Sequence, residues 1–296
     1  MRYNSDGSLD KKFAKTGKAI TDITENSDDF INSVAIQSDG KIVAAGRTIA
    51  QGSSADFAIV RYNSDGSLDK KFGGTGIVVT DMGDGGYDSI SSIVIQTDGK
   101  IVAAGIKGSG KGSSEFALAR YNNDGSLDES FGNAGKVFTS FGDNVSNSLS
   151  SIALQPDGKI VAGGSTSDGK SKGGGEFALA RYNSDGSLDK DFGSAGQVVT
   201  DVGSGAYIST IGIQSSGKIV VAGSFYDGNA SALVLARYNS KGALDDNFAT
   251  DGIATPSLGT EGDAQITCMA IETNDKIIVG GSYNLNFDNN FALMKF

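Results

Sequence analysis

The stretch "RYNSDGSLDKKFG" at 61–73 decides the fold. Nearly the same words stand at 2–13, 120–132 and 181–193, and a looser version at 237–248. Its residue types resemble a calcium loop. Laid on an EF-hand loop, Asn4, Asp6, Gly7 and Asp10 fall at the third, fifth, sixth and ninth positions. Arg2 and Phe13 then occupy the first and twelfth, where calcium needs carboxylates. A cation in a ligand position defeats that reading, so no metal is expected in these turns. A turn accounts for every residue instead. Asn4 and Asp6 bond their own backbone, and Gly7 accepts positive φ. Ser8 or Asp10 caps a short helical turn, while Leu9 and Phe13 enter the core. The Arg is expected to pair with Asp10 and its equivalents Asp69, Asp128, Asp189 and Asp245.

Working outward, Arg-Tyr-Asn begins at Arg2, Arg61, Arg120, Arg181 and Arg237, a period of about 59 residues. No extended 3.6-residue stripe is present, and short β-branched runs alternate with Gly and Asp turns. Each repeat offers four strands. The first is "SVAIQ" (33–37), matched by "SIVIQ" (92–96), "SIALQ" (151–155), "TIGIQ" (210–214) and "CMAIE" (268–272). A "DGK" turn leads to the second, "KIVAAG" (41–46, 100–105), because Asp-Gly between apolar runs favours a tight hairpin. The third is "FALARYN" (116–122, 177–183) and the fourth "GIVVTD" (76–81) or "GKVFTS" (135–140).

Four antiparallel strands in tandem are the blade of a β-propeller. The expectation is an all-β chain in which residues 1–296 form one domain, a single five-bladed β-propeller with repeats starting near 2, 61, 120, 181 and 237. The first complete strand is of the fourth type, "GKAITD" (17–22), and the last is of the third type, "FALMKF" (291–296). Pairing 17–22 onto 291–296 would complete one mixed blade and remove two exposed edges, closing the ring. The start in mid-motif points to a segment of a longer protein.

Composition narrows the function. Net charge is −10 with pI near 4.5, which disfavours binding to a phosphate backbone, so no nucleic-acid partner is expected. With 0 His, Ser–His–Asp and Cys–His catalysis and His-ligated zinc are excluded. The 1 Cys, Cys268, replaces Ser or Thr at Ser33, Ser92, Ser151 and Thr210, and reads as a small buried residue. The 43 Gly against 2 Pro are turn residues between strands. No apolar run approaches the ~18 residues needed to span a membrane, so no membrane insertion is expected, and no signal peptide follows Met1. No cofactor is implied, and a monomer is expected.

The string "SVAIQSDGKIVAAG…FAIVRYNSDGSLDKKFG" resembles the delta-60 repeat family of bacterial proteins, and more distantly NHL-type propellers. The resemblance covers essentially the whole chain. It implies a propeller of a bacterial exported or surface protein and carries over no catalytic residue. The fifth repeat departs most, with "TNDK" (273–276) and "RYNSKGALDDNFA" (237–249).

In a propeller the near-invariant "DGK" and "NSDGSLD" turns share one face, and the two divergent loop classes share the other. Divergence on a common scaffold is where specificity is built. Repeats four and five gather aromatics and amides on that variable face: Tyr207, Phe225, Tyr226 and Tyr283, with Asn284 and Asn286 as the amides. Rings beside amides stack on a sugar face and bond its hydroxyls. A competing role for Phe225 and Phe287 is to pin loops to the rim. Lys107, Lys111, Lys170 and Lys172 lie on Gly/Ser-rich loop tips, and the lysines opening second strands (Lys41, Lys100, Lys159, Lys218, Lys276) read as solvated blade turns. The leading expectation is a non-catalytic module binding a glycan or a protein through the variable face. One alternative is a rigid scaffold without a specific ligand. The other is a glycosidase-like enzyme using loop carboxylates such as Asp28, Asp29, Asp84, Asp88, Asp143, Glu261 or Asp263.

Overall fold

The computed structural model describes the chain except residues 110–111, 168–174, 227, 259–261 and 286–287. The calls on Lys111, Lys170, Lys172, Glu261, Asn286 and Phe287 therefore lie outside the described residues. Two compact units are formed, Met1–Gly112 with Ala117–Phe138, and Ser113–Phe116 with Thr139–Phe296.

Antiparallel meanders dominate both units, and helix is confined to a 3-10 turn at Phe13–Lys15 among the described residues. The first meander is β1 (Asp28–Ile36), β2 (Ile42–Ile49), β3 (Ala55–Tyr62) and β4 (Ile77–Thr80). The second is β5 (Ser89–Ile95), β6 (Ile101–Gly108), β7 (Ser114–Tyr121) and β8 (Lys136–Thr139). The third comprises β9 (Ser146–Leu154), β10 (Ile160–Ser167), β11 (Glu176–Tyr182) and β12 (Gln197–Thr200). The fourth is β13 (Ser204–Ile213), β14 (Ile219–Tyr226), β15 (Ser231–Tyr238) and β16 (Ile253–Ala254). The last has three strands, β17 (Asp263–Ile271), β18 (Ile277–Leu285) and β19 (Asp288–Lys295).

Local chemistry explains why each meander repeats. At the first turn the Gly40 N–H donates to Gln37 O, with Gly40 at φ +81°. Further along, each first strand carries a β-bulge, between Ile31 and Ser33 in β1 and between Ile266 and Cys268 in β17. Opposite it stands a glycine. A Cβ on Gly46 or Gly105 would sit 1.9 Å from the carbonyl oxygen of Phe30 or Ser89. The last residue of "IVAAG" is therefore glycine because the bulge pushes a neighbouring backbone into the space of its side chain.

The opening motif is structural, as its residues suggested. Arg61 Nε donates to Asp69 Oδ2 at 2.9 Å, and its guanidinium lies 4.5 Å over the Phe72 ring. Arg120–Asp128, Arg181–Asp189 and Arg237–Asp245 each repeat this at 2.7 Å, and Arg2–Asp10 at 2.8 Å. The carboxylate of Asp65 is occupied by the Ser67 N–H and hydroxyl at 2.9 and 2.6 Å. The second-strand lysines do more than meet solvent. Lys100, Lys159 and Lys218 each place Nζ 2.8–2.9 Å from Asp128, Asp189 and Asp245. Burial alone would raise Asp128, but hydrogen bonds from Lys100 and Ser130 and the Arg120 charge hold it well below the carboxylate range.

Within each unit, successive meanders pack face to face. Phe57 and Ile59 of β3 share one core with Ile90 and Ile93 of β5, all at most 6% exposed. Phe177 and Leu179 meet Ile208 and Ile211 in the same way, and Leu233 of β15 meets Ala264 and Ile266. A buried hydroxyl pair links the fourth strand of one repeat to the third strand of the next, Thr80–Tyr121 and Thr139–Tyr182, both at 2.8 Å.

Two expectations are corrected here. The segment 17–22, expected as a strand, forms none. Instead Ala19 packs against Ala44, Val60 and Tyr62, and Thr21 shares a 2.7 Å hydroxyl bond with Tyr62. A fourth strand has two sides, and this segment uses only the one facing the following repeat. β19 pairs with β18 alone, and Phe291 and Leu293 are 105% and 76% exposed. The second correction is Cys268, which is exposed. Its equivalents Ser33 and Ser151 accept the Ile93 and Ile211 N–H groups of the following repeat at 3.2 and 3.3 Å.

Candidate functional site

The second unit carries a cavity of about 550 Å³ on the variable loop side of its fourth and fifth repeats. Its walls come from the β14–β15 turn, the segment leaving β16, and the start of the β17–β18 pair. Phe225, Leu233, Pro256, Leu258, Ala264 and Tyr283 supply apolar surface, and Asn229, Ser231, Thr255 and Ser257 supply neutral polar groups. None of the described lining residues is charged. The Ser231 N–H donates to Asp263 Oδ1 at 2.8 Å, tying the starts of β15 and β17 together beside the cavity.

The cavity exists because this junction departs from the repeat at matched positions. The residue facing the next repeat is Phe57, Phe116 or Phe177 elsewhere and Leu233 here, a smaller side chain. The hydroxyl position held by Thr80, Thr139 and Thr200 is Pro256. Proline has no N–H for a ladder and no hydroxyl, and β16 spans two residues where β4, β8 and β12 span four. Phe296 stands where Tyr121 and Tyr182 do, so both members of the hydroxyl pair are missing together. The position of Asp29, Asp88 and Asn147 is Ala264 here, but it is alanine, Ala206, at the filled junction before β13 as well.

At the junctions before β1, β5 and β9 that polar residue tethers neighbouring chain. Asp88, 1% exposed, accepts the Met82 N–H at 3.0 Å and the Gly108 N–H at 3.2 Å. Asp29 accepts the Ile23 N–H and the Thr48 hydroxyl at 2.9 and 2.7 Å. Asn147 donates to Ser114 O at 2.7 Å. Ala264, like Ala206, has no side-chain acceptor to offer, and Leu258, the counterpart of Met82, lines the cavity.

Of the six residues expected in the site, Phe225 and Tyr283 line the cavity. Tyr226 does not; it is 49% exposed and its hydroxyl donates to Gly228 O at 3.0 Å. Asn284 gives its amide to Asn289 Oδ1 at 2.9 Å, within its own hairpin. Tyr207 sits on β13 opposite Ser224 and is absent from the lining, and Asn286 is outside the described residues. Pro256, Leu258, Leu233 and Ala264 were not expected. The signal for them was departure from the repeat consensus, rather than aromatic or amide content.

The first unit holds an acidic group on its variable loops. Carboxylate oxygens of Asp56, Asp81 and Asp88 lie within 4.8 Å of one another. Burial pushes Asp88 up to about 6, with smaller contributions from the Asp56 and Asp81 charges. Burial raises Asp56 as well, followed by the Asp81 charge. On the regular face of the same unit, a cavity of about 510 Å³ is lined by Lys41, Arg61, Asp39, Asp98 and Asp124 among others. Of its cations, Lys41 is paired with Asp39 and Arg61 with Asp69.

Comparison with known proteins agrees with this architecture. A search of curated proteins finds no match. Among solved structures, the chain is similar to a protein of unknown function from Dyadobacter fermentans DSM 18053 at 14% identity and TM-score 0.53, over 91% of this chain and 76% of that one. It is also similar to a polysaccharide lyase, an ulvan lyase, at 10% identity and TM-score 0.53, over 88% of this chain and 66% of that one. At these identities the likeness is one of fold. The family model described as a domain of unknown function (DUF5122) beta-propeller matches residues 37–72, 96–131, 155–192 and 214–248. Each match runs from the glutamine ending a first strand to the phenylalanine of the opening motif. Four such matches along one chain give it the repeat of a DUF5122 β-propeller.

Proposed function

We propose that this chain is a non-catalytic binding module that holds a neutral ligand, a sugar residue of a glycan, in the cavity between β14–β15 and β17–β18. The observation carrying this reading is a cavity of about 550 Å³ with no charged side chain among its described lining residues, with Phe225 and Tyr283 in its wall and neutral hydrogen-bonding groups beside them. Sugars are bound by aromatic faces for their C–H surface and by neutral polar groups for their hydroxyls. The volume lies within the usual range for small-molecule sites, about 300–1,000 Å³. The net charge of −10 adds to the preference for a neutral ligand over an anionic one.

Titration calorimetry against a panel of neutral oligosaccharides tests it. Tyr283→Ala is expected to weaken binding by about tenfold, and Leu233→Phe, which fills the cavity, to abolish it. A ligand whose affinity survives both changes binds elsewhere, and this reading fails.

A second reading is a carboxylate enzyme at Asp56, Asp81 and Asp88. The carboxyl spacing is close to the about 5–5.5 Å of retaining glycosidases, and Asp88 is raised toward the range of a proton donor. Against it, Asp88 spends both oxygens on backbone N–H groups, and Asp29 in the preceding repeat likewise has both oxygens bonded, one by the Ile23 N–H and one by the Thr48 hydroxyl. Glycoside hydrolysis that disappears in Asp81→Asn would favour the enzyme.

A further inference from the structure

Six arginines stand in this chain, and five of them belong to the repeated motif. Each of the five has the same two neighbours. A phenylalanine ring lies with its centre 4.5–4.9 Å from the guanidinium carbon of Arg2, Arg61, Arg120, Arg181 and Arg237. An aspartate oxygen accepts the Nε–H of each at 2.7–2.9 Å. Arg61 shows the full arrangement, because its Nη2 lies 2.8 Å from the same Asp69 oxygen that Nε bonds. A ring on the face and a carboxylate on the edge meet the two needs of a guanidinium, stacking and charge-assisted hydrogen bonds.

The sixth, Arg47, has the first neighbour and lacks the second. It stands on β2 opposite Phe30 of β1. Its guanidinium carbon is 3.9 Å from the centre of the Phe30 ring and 5.4 Å from that of Tyr87, which precedes β5. All three residues belong to the first unit. Among the described residues Arg47 has no ion pair, and its buried Nε–H has no acceptor. Asp29 and Asp56 stand across the strands from Thr48, one residue on, and so project from the other side of the sheet. A buried donor without an acceptor costs free energy unless a partner is supplied. The arrangement is peculiar to this repeat, since the others have Ile106, Ser165, Ser224 and Ser282 where Arg47 stands. Phe30 and Tyr87 are 43% and 45% exposed, which leaves part of each ring open beside the cation.

We propose that Arg47 is the anchor of a second binding site, and that its partner is the carboxylate of an organic acid. The carboxylate takes the guanidinium edge as Asp69 takes that of Arg61, and the carbon body of the ligand lies against the open parts of Phe30 and Tyr87. The Nε–H is reached when the exposed Tyr87 ring turns aside. The Tyr87 backbone stays in place, because its carbonyl oxygen accepts the Gly108 N–H at 3.0 Å. A singly charged carboxylate meets less repulsion than a phosphate dianion in a chain of net charge −10. Screening at ordinary salt confines the field of distant acids to about 8–10 Å, so the adjacent cation decides. The neutral cavity described above has different residues, all of the second unit, and this site does not depend on it.

The test follows the arginine Nε–H signals of the full chain by nuclear magnetic resonance. The probes are sodium benzoate and sodium glucuronate, carboxylates on an apolar ring and on a hydroxylated one, with benzamide and inorganic phosphate as controls. The Arg47 signal, identified by its loss in Arg47→Lys, is expected to shift on adding a carboxylate. Signals of the motif arginines, whose Nε–H groups already have acceptors, are expected to stay. A shift with benzoate alone, with glucuronate alone or with both supports the proposal and sets the body of the ligand. By titration calorimetry, affinity is expected to fall about tenfold or more in Arg47→Lys, which keeps the charge and loses the fork. Leu233→Phe is expected to leave it unchanged, so failure here and failure of the neutral cavity are told apart. No Arg47 shift with either carboxylate overturns the proposal. So does an equal response to benzamide or phosphate, and so does a carboxylate affinity that survives Arg47→Lys.

Discussion

The junction before β5 and the junction before β17 do the same mechanical task with opposite means. Before β5, Asp88 ties Met82 and Gly108 by their N–H groups, Thr80 bonds Tyr121, and Met82 is 2% exposed within a filled core. Before β17, Ala264, Pro256 and Leu233 replace the carboxylate, the hydroxyl and the aromatic ring, and a cavity of about 550 Å³ stands there. Pro256 and Leu233 are the departures peculiar to this junction, since the filled junction before β13 also has alanine, Ala206, where Ala264 stands. Backbone repetition is kept throughout, since β17 retains its bulge and Gly281 stands opposite it.

The largest expected effect comes from cutting the tether of the closed junction. Asp88→Ala leaves two buried N–H groups without their acceptor, at about 1–3 kcal/mol each. A denaturation midpoint showing a total loss below about 1 kcal/mol would mean that the carboxylate does not hold the junction. Next, Thr80→Pro imports the change found at Pro256 and deprives the buried Tyr121 hydroxyl of its partner. A loss of about 1–3 kcal/mol is expected, and in a double-mutant cycle Tyr121→Phe should remove much of the hydroxyl part of it.

The pH dependence gives a medium effect with a defined sign. Burial raises Asp88 from its ordinary 3.8 to about 6 in the folded protein, so folding favours its protonated form. Its contribution is fully present below pH 3.8 and is lost as pH rises through about 6. The stability difference between the unaltered chain and Asp88→Asn should therefore change between these values and be flat above them. A difference independent of pH across that window would contradict it. The smallest effect belongs to the open junction. Leu233→Phe restores the ring found at Phe57 and Phe177, and filling space with apolar atoms is expected to change stability by less than about 1 kcal/mol in either direction. A loss above about 3 kcal/mol would mean that the wall cannot accommodate the ring and that the cavity is already packed.

Much of the fold was legible because hairpin turns, strand alternation and the Arg–Asp pairing are local, and the repeats state them several times over. The segment at 17–22 was read as a strand from its likeness to 76–81, but its outer edge depends on a partner distant in sequence. Cys268 was misjudged from its equivalents Ser33 and Ser151, which bond the following repeat, and position in the repeat does not fix exposure. At the cavity, Phe225 and Tyr283 were found by their aromatic character. Leu233, Pro256 and Ala264 were visible as deviations from the repeat, yet each is small and chemically quiet, and their effect appears only when three strands are placed side by side.

The buried threonine–tyrosine pairs have an optical consequence. Burial pushes the Tyr121 and Tyr182 phenols above the range where a free phenol ionises, and Tyr238 up to about 12. Each phenol belongs to a different junction and would give up its proton in moderate alkali only after that junction opens. The ultraviolet signal of phenolate formation, followed after a jump to alkaline pH, is then a clock for opening. Phenylalanine substitutions at Tyr121, Tyr182 and Tyr238, made one at a time, would assign each phase to its own junction and order their release. The molecule thus carries intrinsic chromophores at successive seams, with no added dye.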